Sequence, residues 1–108
     1  MSDMKPMKVT QTNSGTADAT TYITSGIALP DHSKAAWQVL IINRGSAELV
    51  AKLGPSTGPN ASNVTDGFPA LFVPAGHVHI FTRSQTDTHI YLYCATSTTF
   101  AIESGSGE

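Results

Sequence analysis

The sequence predicts an all-β fold: a single β-sandwich or jelly roll of about eight short antiparallel strands with extended termini. Three observations predict it. No window of eleven or more residues keeps apolar positions at i, i+3, i+4 and i+7 without interruption by Gly, Pro or clustered Thr, so helical periodicity is absent. Short runs rich in Val, Ile, Thr, Tyr and Phe recur along the chain. Turn residues separate these runs at the spacing of a two-sheet sandwich, a small barrel being the other way to manage the sheet edges.

Eight strands are expected, at 7–12, 20–27, 37–43, 48–53, 70–73, 78–82, 89–95 and 99–103. The breaks carry turn chemistry: Asn13-Ser-Gly15, Pro30-Asp31, Asn43-Arg-Gly45, Gly54-Pro55, Pro74-Ala-Gly76 and Ser84-Gln-Thr-Asp87. Asn43-Arg-Gly45 and Ser84–Asp87 read as tight hairpins. The stretch 54–67, with three Gly and two Pro in fourteen residues, is the one long loop, a place where function often sits. One domain spans 1–108, with 1–12 as an N-terminal arm or edge strand and 104–108 as a C-terminal tail. Residues 1–6 and Ser104-Gly-Ser-Gly-Glu108 have linker composition, so both ends are expected to be mobile in a free monomer.

At 108 residues and 11.3 kDa the chain buries about 65% of its unfolded surface, enough for a modest core. Charged residues make up only 13% while Ser and Thr number 25, a balance that leaves a lone monomer poorly solvated and points to a surface covered by a partner. The six basic residues, Lys5, Lys8, Lys34, Arg44, Lys52 and Arg83, form no run that neutralises neighbouring phosphates, which argues against nucleic-acid binding. No apolar stretch approaches a membrane span. The leading run MSDMKPMKVT has no hydrophobic signal region, so we expect a protein made and kept in a cytoplasm; the triplets Asn60-Ala-Ser and Asn63-Val-Thr are then chance matches to a glycosylation acceptor. The single Cys94 lies in an apolar run, where it reads as a small buried hydrophobe.

Catalytic constellations do not assemble from these residues. The eight acids fall mostly in turns and tails, no Ser or Thr occupies a nucleophile elbow, and no phosphate-cradling Gly loop is present. His77 and His79, two apart in a strand, share a face at a spacing suited to metal capture. The segment Pro74-x-Gly76-x-x-His79 resembles half of the second motif of cupins, metal-binding jelly rolls. It departs from that motif at Arg83, where Asn is usual, and at Gly67, one position too far upstream. The earlier His-x-His…Glu motif has no counterpart, since 37–53 contains no His. His32 or His89 would have to complete a site that the motif does not place there. We therefore expect no bound metal, no cofactor and no catalytic residue.

Alternation sorts the last two apolar runs into faces. In 77–83, Val78, Ile80 and Thr82 share one face and His77, His79, Phe81 and Arg83 the other; in 89–95, Ile90, Leu92 and Cys94 oppose His89, Tyr91 and Tyr93. If the two strands pair across Ser84–Asp87, the His, Phe, Arg and Tyr set forms an outward stripe with the composition of an interface. The competing reading buries both faces between sandwich layers. With the arm residues Lys5, Met7 and Val9, the stripe residues are the candidate interface.

The leading Thr/Ser-rich arm, Val39-Leu-Ile-Ile-Asn-Arg-Gly45, Phe72-Val-Pro-Ala-Gly76 and the final strands ending Phe100-Ala-Ile-Glu103 together resemble small jelly-roll virion proteins of tailed bacteriophages, of the capsid decoration or cement type. The resemblance implies a non-enzymatic protein on the capsid exterior, made in the host cytoplasm. It would bind the major capsid protein lattice through arms and loops as a homodimer or homotrimer, and touch neither nucleic acid nor membrane. A head-fibre or tail-adaptor module and a cupin-like binding protein are the alternatives.

Overall fold

The computed structural model describes residues 8–30, 38–63 and 65–106. Eight strands follow one another: β1 (Lys8–Asp18), β2 (Ile27–Ala28), β3 (Gln38–Asn43), β4 (Leu49–Gly54), β5 (Leu71–Val73), β6 (Val78–Thr82), β7 (His89–Tyr93) and β8 (Ser97–Ser106). Among the described residues there is no helix. The strands form two four-stranded sheets, ordered β1-β8-β3-β6 (sheet A) and β2-β7-β4-β5 (sheet B). Every pairing is antiparallel, and β1–β8, β2–β7, β3–β6 and β4–β5 nest symmetrically about the loop that follows β4. The chain is thus one long ribbon, bent at that loop and wrapped so that successive strand pairs land in opposite sheets. This is the jelly-roll order. The β3–β8 and β4–β7 pairs close the ribbon onto itself.

Core residues come from the facing sides of both sheets. Sheet A supplies Ala17, Val39, Ile41, Phe100 and Ile102; sheet B and its flank supply Leu49, Ala51, Val73, Ile90, Leu92 and Cys94. Burying each large aliphatic or aromatic side chain contributes about 1.5–3 kcal/mol. Tyr22 meets Phe100 edge-on, with ring centroids 5.9 Å apart. Cys94 is part of this cluster, as its apolar run implied.

Four expectations are corrected. Asn13-Ser-Gly15 does not break the chain. It lies inside β1, where Gly15 opposite Phe100 leaves room for the ring: a Cβ there would sit 3.3 Å from the ring's Cζ. Residues 20–26 are not a strand, because the Asp18 carboxylate accepts from Thr20 N (2.9 Å), Thr21 N (2.7 Å) and Thr21 Oγ1 (2.8 Å) and winds the chain into a turn. Only isolated bonds tie this segment to the sheet, as in Leu92 N to Tyr22 O (3.0 Å). Residues 104–106, expected in a tail, belong to β8, with Ser104 and Gly105 buried. The arm expectation divides: 8–12 is paired strand, and 1–7 lies outside the described residues, as do 107–108.

The two expected hairpins, the fourth correction, are corners between the sheets. Asn43-Arg-Gly45 carries the chain from β3 in sheet A to β4 in sheet B, and Ser84–Asp87 carries it from β6 to β7. Buried Asn43 organises the first corner. Its Nδ2 donates to Ala47 O (2.7 Å) and Val73 O (2.9 Å), while its Oδ1 accepts from Gly45 N (3.2 Å) and Thr98 Oγ1 (2.7 Å). One side chain so joins β3, β5, β8 and the corner. Gly45 passes too close to β8 for a Cβ, which would lie 2.8 Å from Thr99 N. At 74–77 the Pro-x-Gly turn forms as read, with His77 N donating to Pro74 O (3.0 Å) and Gly76 at φ +74°.

Candidate functional site

The two sheets treat their outer faces differently. On sheet B the outward residues Lys52 and Tyr91 face each other across β4 and β7, and both are sealed from solvent. The loop after β4 covers them. Lys52 Nζ donates to Asp66 Oδ1 (2.7 Å) and to Asn63 O, and the Tyr91 hydroxyl donates to Pro55 O. Asp66 Oδ2 also takes Asn60 N (2.8 Å) and Oδ1 takes Phe68 N (3.0 Å), so one carboxylate gathers both limbs of the loop. The Lys52 ammonium, then the Asn60 amide, hold the Asp66 carboxyl down at about 2. Burial pushes the Tyr91 hydroxyl up. Pro59 closes against Gly54, where a Cβ would come within 2.4 Å of Pro59 Cγ. The long loop is thus a roof pinned by a buried lysine.

Sheet A has no such roof among the described residues. Register places Leu40 opposite Ile80, and Ile42 opposite both Val78 and Ala101, on its outward face. Val78 and Ile80 are 52% and 59% exposed, while Leu40 and Ile42 are half-buried. Phe72, 48% exposed, stands on β5. These three are the exposed large hydrophobics among the described residues, and all lie on two edge strands, β5 and β6. A cavity of about 310 Å³ lies between those edges, walled by Ala51, Leu53, Leu71 and Phe81.

The expected outward stripe does not form, because β6 and β7 lie in different sheets and their faces are not linked. His79 and Phe81 turn inward, opposite Ile41 and Val39, and are half-buried. Arg83 is buried, its Nη2 donating to Pro30 O (2.6 Å). Tyr91 is buried, Tyr93 half-buried opposite Val50, and His89 half-buried beside Tyr91 at 6.5 Å between centroids. Arg83 and Tyr91 are therefore withdrawn as contact residues. His77 is exposed in its turn, its Nδ1 3.0 Å from Ala75 O. Val9 lies in β1 opposite Gly105, and Lys5 and Met7 lie outside the described residues.

The open face was missed in the sequence, though one signal for it existed. The unbroken run Val39-Leu-Ile-Ile42 puts apolar residues on both sides of β3, and among the described residues only one side has a layer of this chain against it. Three acids serve local structure: Asp18 and Asp66 as above, and Asp87 by accepting from Ser84 N (2.9 Å). Backbone and hydroxyl bonds from Thr21 and Thr20 hold the Asp18 carboxyl at about 2. Among the described residues no three of His, Cys, Asp and Glu gather as a metal site. Neither a protein-family model nor a curated protein sequence matches the chain.

Proposed function

We propose that this chain is a non-enzymatic structural subunit of a tailed-phage particle, a decoration or cement protein that binds the lattice of the major capsid protein and stabilises the head. The observation that carries the reading is the open apolar face of sheet A. Val78 and Ile80 stand in water beside Leu40, Ile42 and Ala101, while on the other sheet outward Lys52 and Tyr91 are roofed by the chain itself. An apolar face of this kind is stabilised by a bound partner. The charged fraction of 13% supports the same conclusion, since few charges compete for contact area. In this role the protein sits on the capsid exterior after synthesis in the host cytoplasm, as a homodimer or homotrimer.

Quantitative mass spectrometry and electron cryo-microscopy of purified particles test the reading. The expected result is a copy number on the scale of the major capsid protein, with density on the outer capsid surface. A few copies at a vertex or tail would replace it with the head-fibre or tail-adaptor reading. Absence from particles would end both.

A further inference from the structure

We propose that β6 is a self-association edge: two copies of this chain pair their β6 strands antiparallel about a two-fold axis at Ile80, joining two A sheets into one. The inference goes beyond the capsid reading and does not depend on it.

The four edge strands differ in how they are protected. Native edges avoid pairing by being short, bulged, charged or interrupted by Pro. β1 carries Lys8 and Asp18 and a register shift between Val9 and Gln11. β2 is two residues long, and β5 is three residues flanked by Pro69 and Pro74. β6 has none of these devices. It runs five residues, Val-His-Ile-Phe-Thr, in unbroken register with β3, without Lys, Arg, Asp, Glu, Pro or Gly. Among the described residues no strand lies against its other side.

The hydrogen-bond phase decides which groups this edge offers. Asn43 N donates to His77 O (3.0 Å), so antiparallel alternation points the backbone groups of His79 and Phe81 at β3. The N–H and C=O groups of Val78, Ile80 and Thr82 then point out of the sheet. These are also the residues whose side chains are exposed. A two-fold at Ile80 sets Ile80 against its copy and Val78 against the copy's Thr82. Each facing pair exchanges two bonds, about six in all.

The side chains fit the same register. Outward, the contact is Ile on Ile flanked by Val on Thr, β-branched pairs that favour a sheet and bring no like charges together. Inward, His79 meets the copy's Phe81. The cavity walled by Leu71 and Phe81 lies between β5 and β6, beside the joint, so a second copy sits against apolar wall residues of both edge strands. Because the contact patch is the same on both copies, the assembly closes as a dimer.

Sedimentation of the full chain across a dilution series, with amide hydrogen exchange at high and low concentration, tests the proposal. The expected result is a concentration-dependent dimer in which the amides of Val78, Ile80 and Thr82 are protected together with those of His79 and Phe81. On dilution the first three lose protection by more than about 100-fold while His79 and Phe81 keep theirs. Ile80→Lys should be folded and monomeric, Thr16→Lys on β1 should keep the wild-type mass, and Ile80→Cys should oxidise to a covalent dimer. A monomeric wild type with fast-exchanging 78, 80 and 82 amides overturns the proposal. So does an Ile80→Lys variant that keeps the wild-type dimer mass. Neither result bears on whether the chain is found on particles.

Discussion

Lys52 and Tyr91 lie side by side on the outward face of sheet B, yet neither reaches water. Each sends its one polar group into the overlying loop, Lys52 to Asp66 and Asn63, Tyr91 to Pro55. An outward face has so become a second, smaller interior, held by polar bonds where the main core is held by apolar contact.

Removing the two partners of the ion pair should have unequal costs. Asp66→Ala leaves a sealed ammonium with only the Asn63 carbonyl, and breaking a buried pair this way is strongly destabilising. A Tm loss on the order of 10 °C or more is expected by calorimetry. Lys52→Met leaves a partly exposed carboxylate that keeps the Asn60 and Phe68 amides. Its Tm should fall by less than half as much.

Acid should loosen the protein in a defined window. Asp18 and Asp66 are held at about 2, below the ordinary 3.8, so their folded forms bind fewer protons than the unfolded chain. Their contribution is present above the unfolded value and is lost as pH falls from about 4 through about 2. Tm should be flat from pH 7 to 5 and decline below that. Lys52→Met should shallow the decline, because it removes the largest cause of the Asp66 depression; equal slopes in the two proteins would refute this assignment.

Tyr91→Phe removes the bond to Pro55 and leaves that carbonyl under the roof without its partner, at about 1 kcal/mol. Limited proteolysis should then cut within 55–69 faster than in the wild type. At high pH the order reverses. The wild-type hydroxyl, raised above 10.0, loses stability as pH climbs through the unfolded value, and the Phe variant lacks that loss.

Asn43 should be the least replaceable polar residue of the core. Asn43→Ala deletes four hydrogen bonds and leaves Ala47 O, Val73 O and Thr98 Oγ1 without it, for roughly 3 kcal/mol or more in urea unfolding. Asn43→Asp should be worse. It turns the donor toward Ala47 O and Val73 O into a second acceptor and buries a charge.

Much of the architecture was legible because strand chemistry is local. Runs such as Val78–Thr82 and His89–Tyr93 announce themselves by composition, and the Pro74-x-Gly76 turn by its glycine. Sheet membership is not local. Four residues at 84–87 suit a hairpin or a corner equally, and the corner turns His79 and Phe81 of β6 inward while Tyr91 and Tyr93 of β7 stay on the outward face of the other sheet. Alternation in β6 offered little correction, since its faces carry Val and Ile against Phe and His. Arg83 breaks the rule of polar-out because its reach allows a buried head group to meet Pro30 O. Lys52 was unreadable for the same reason, as only the loop's path makes it an anchor.

The position of β8 governs when the fold can exist. Sheet A takes its second strand, between β1 and β3, from residues 97–106, and Lys8 finds Ser106 across almost the whole described length. During synthesis every other strand leaves the ribosome before this one. Until β8 arrives, β1 has no paired strand, β3 is bonded on one side alone, and Phe100 and Ile102 are missing from the interior. The nascent chain can close the ribbon from its bend outward, β4 with β5, then β3 with β6, then β2 with β7, but sheet A waits for its last-made part. Completion is therefore a late, single event, with slow folding expected of such distant pairing, and the apolar face of β3 and β6 becomes a finished surface only once that strand has docked.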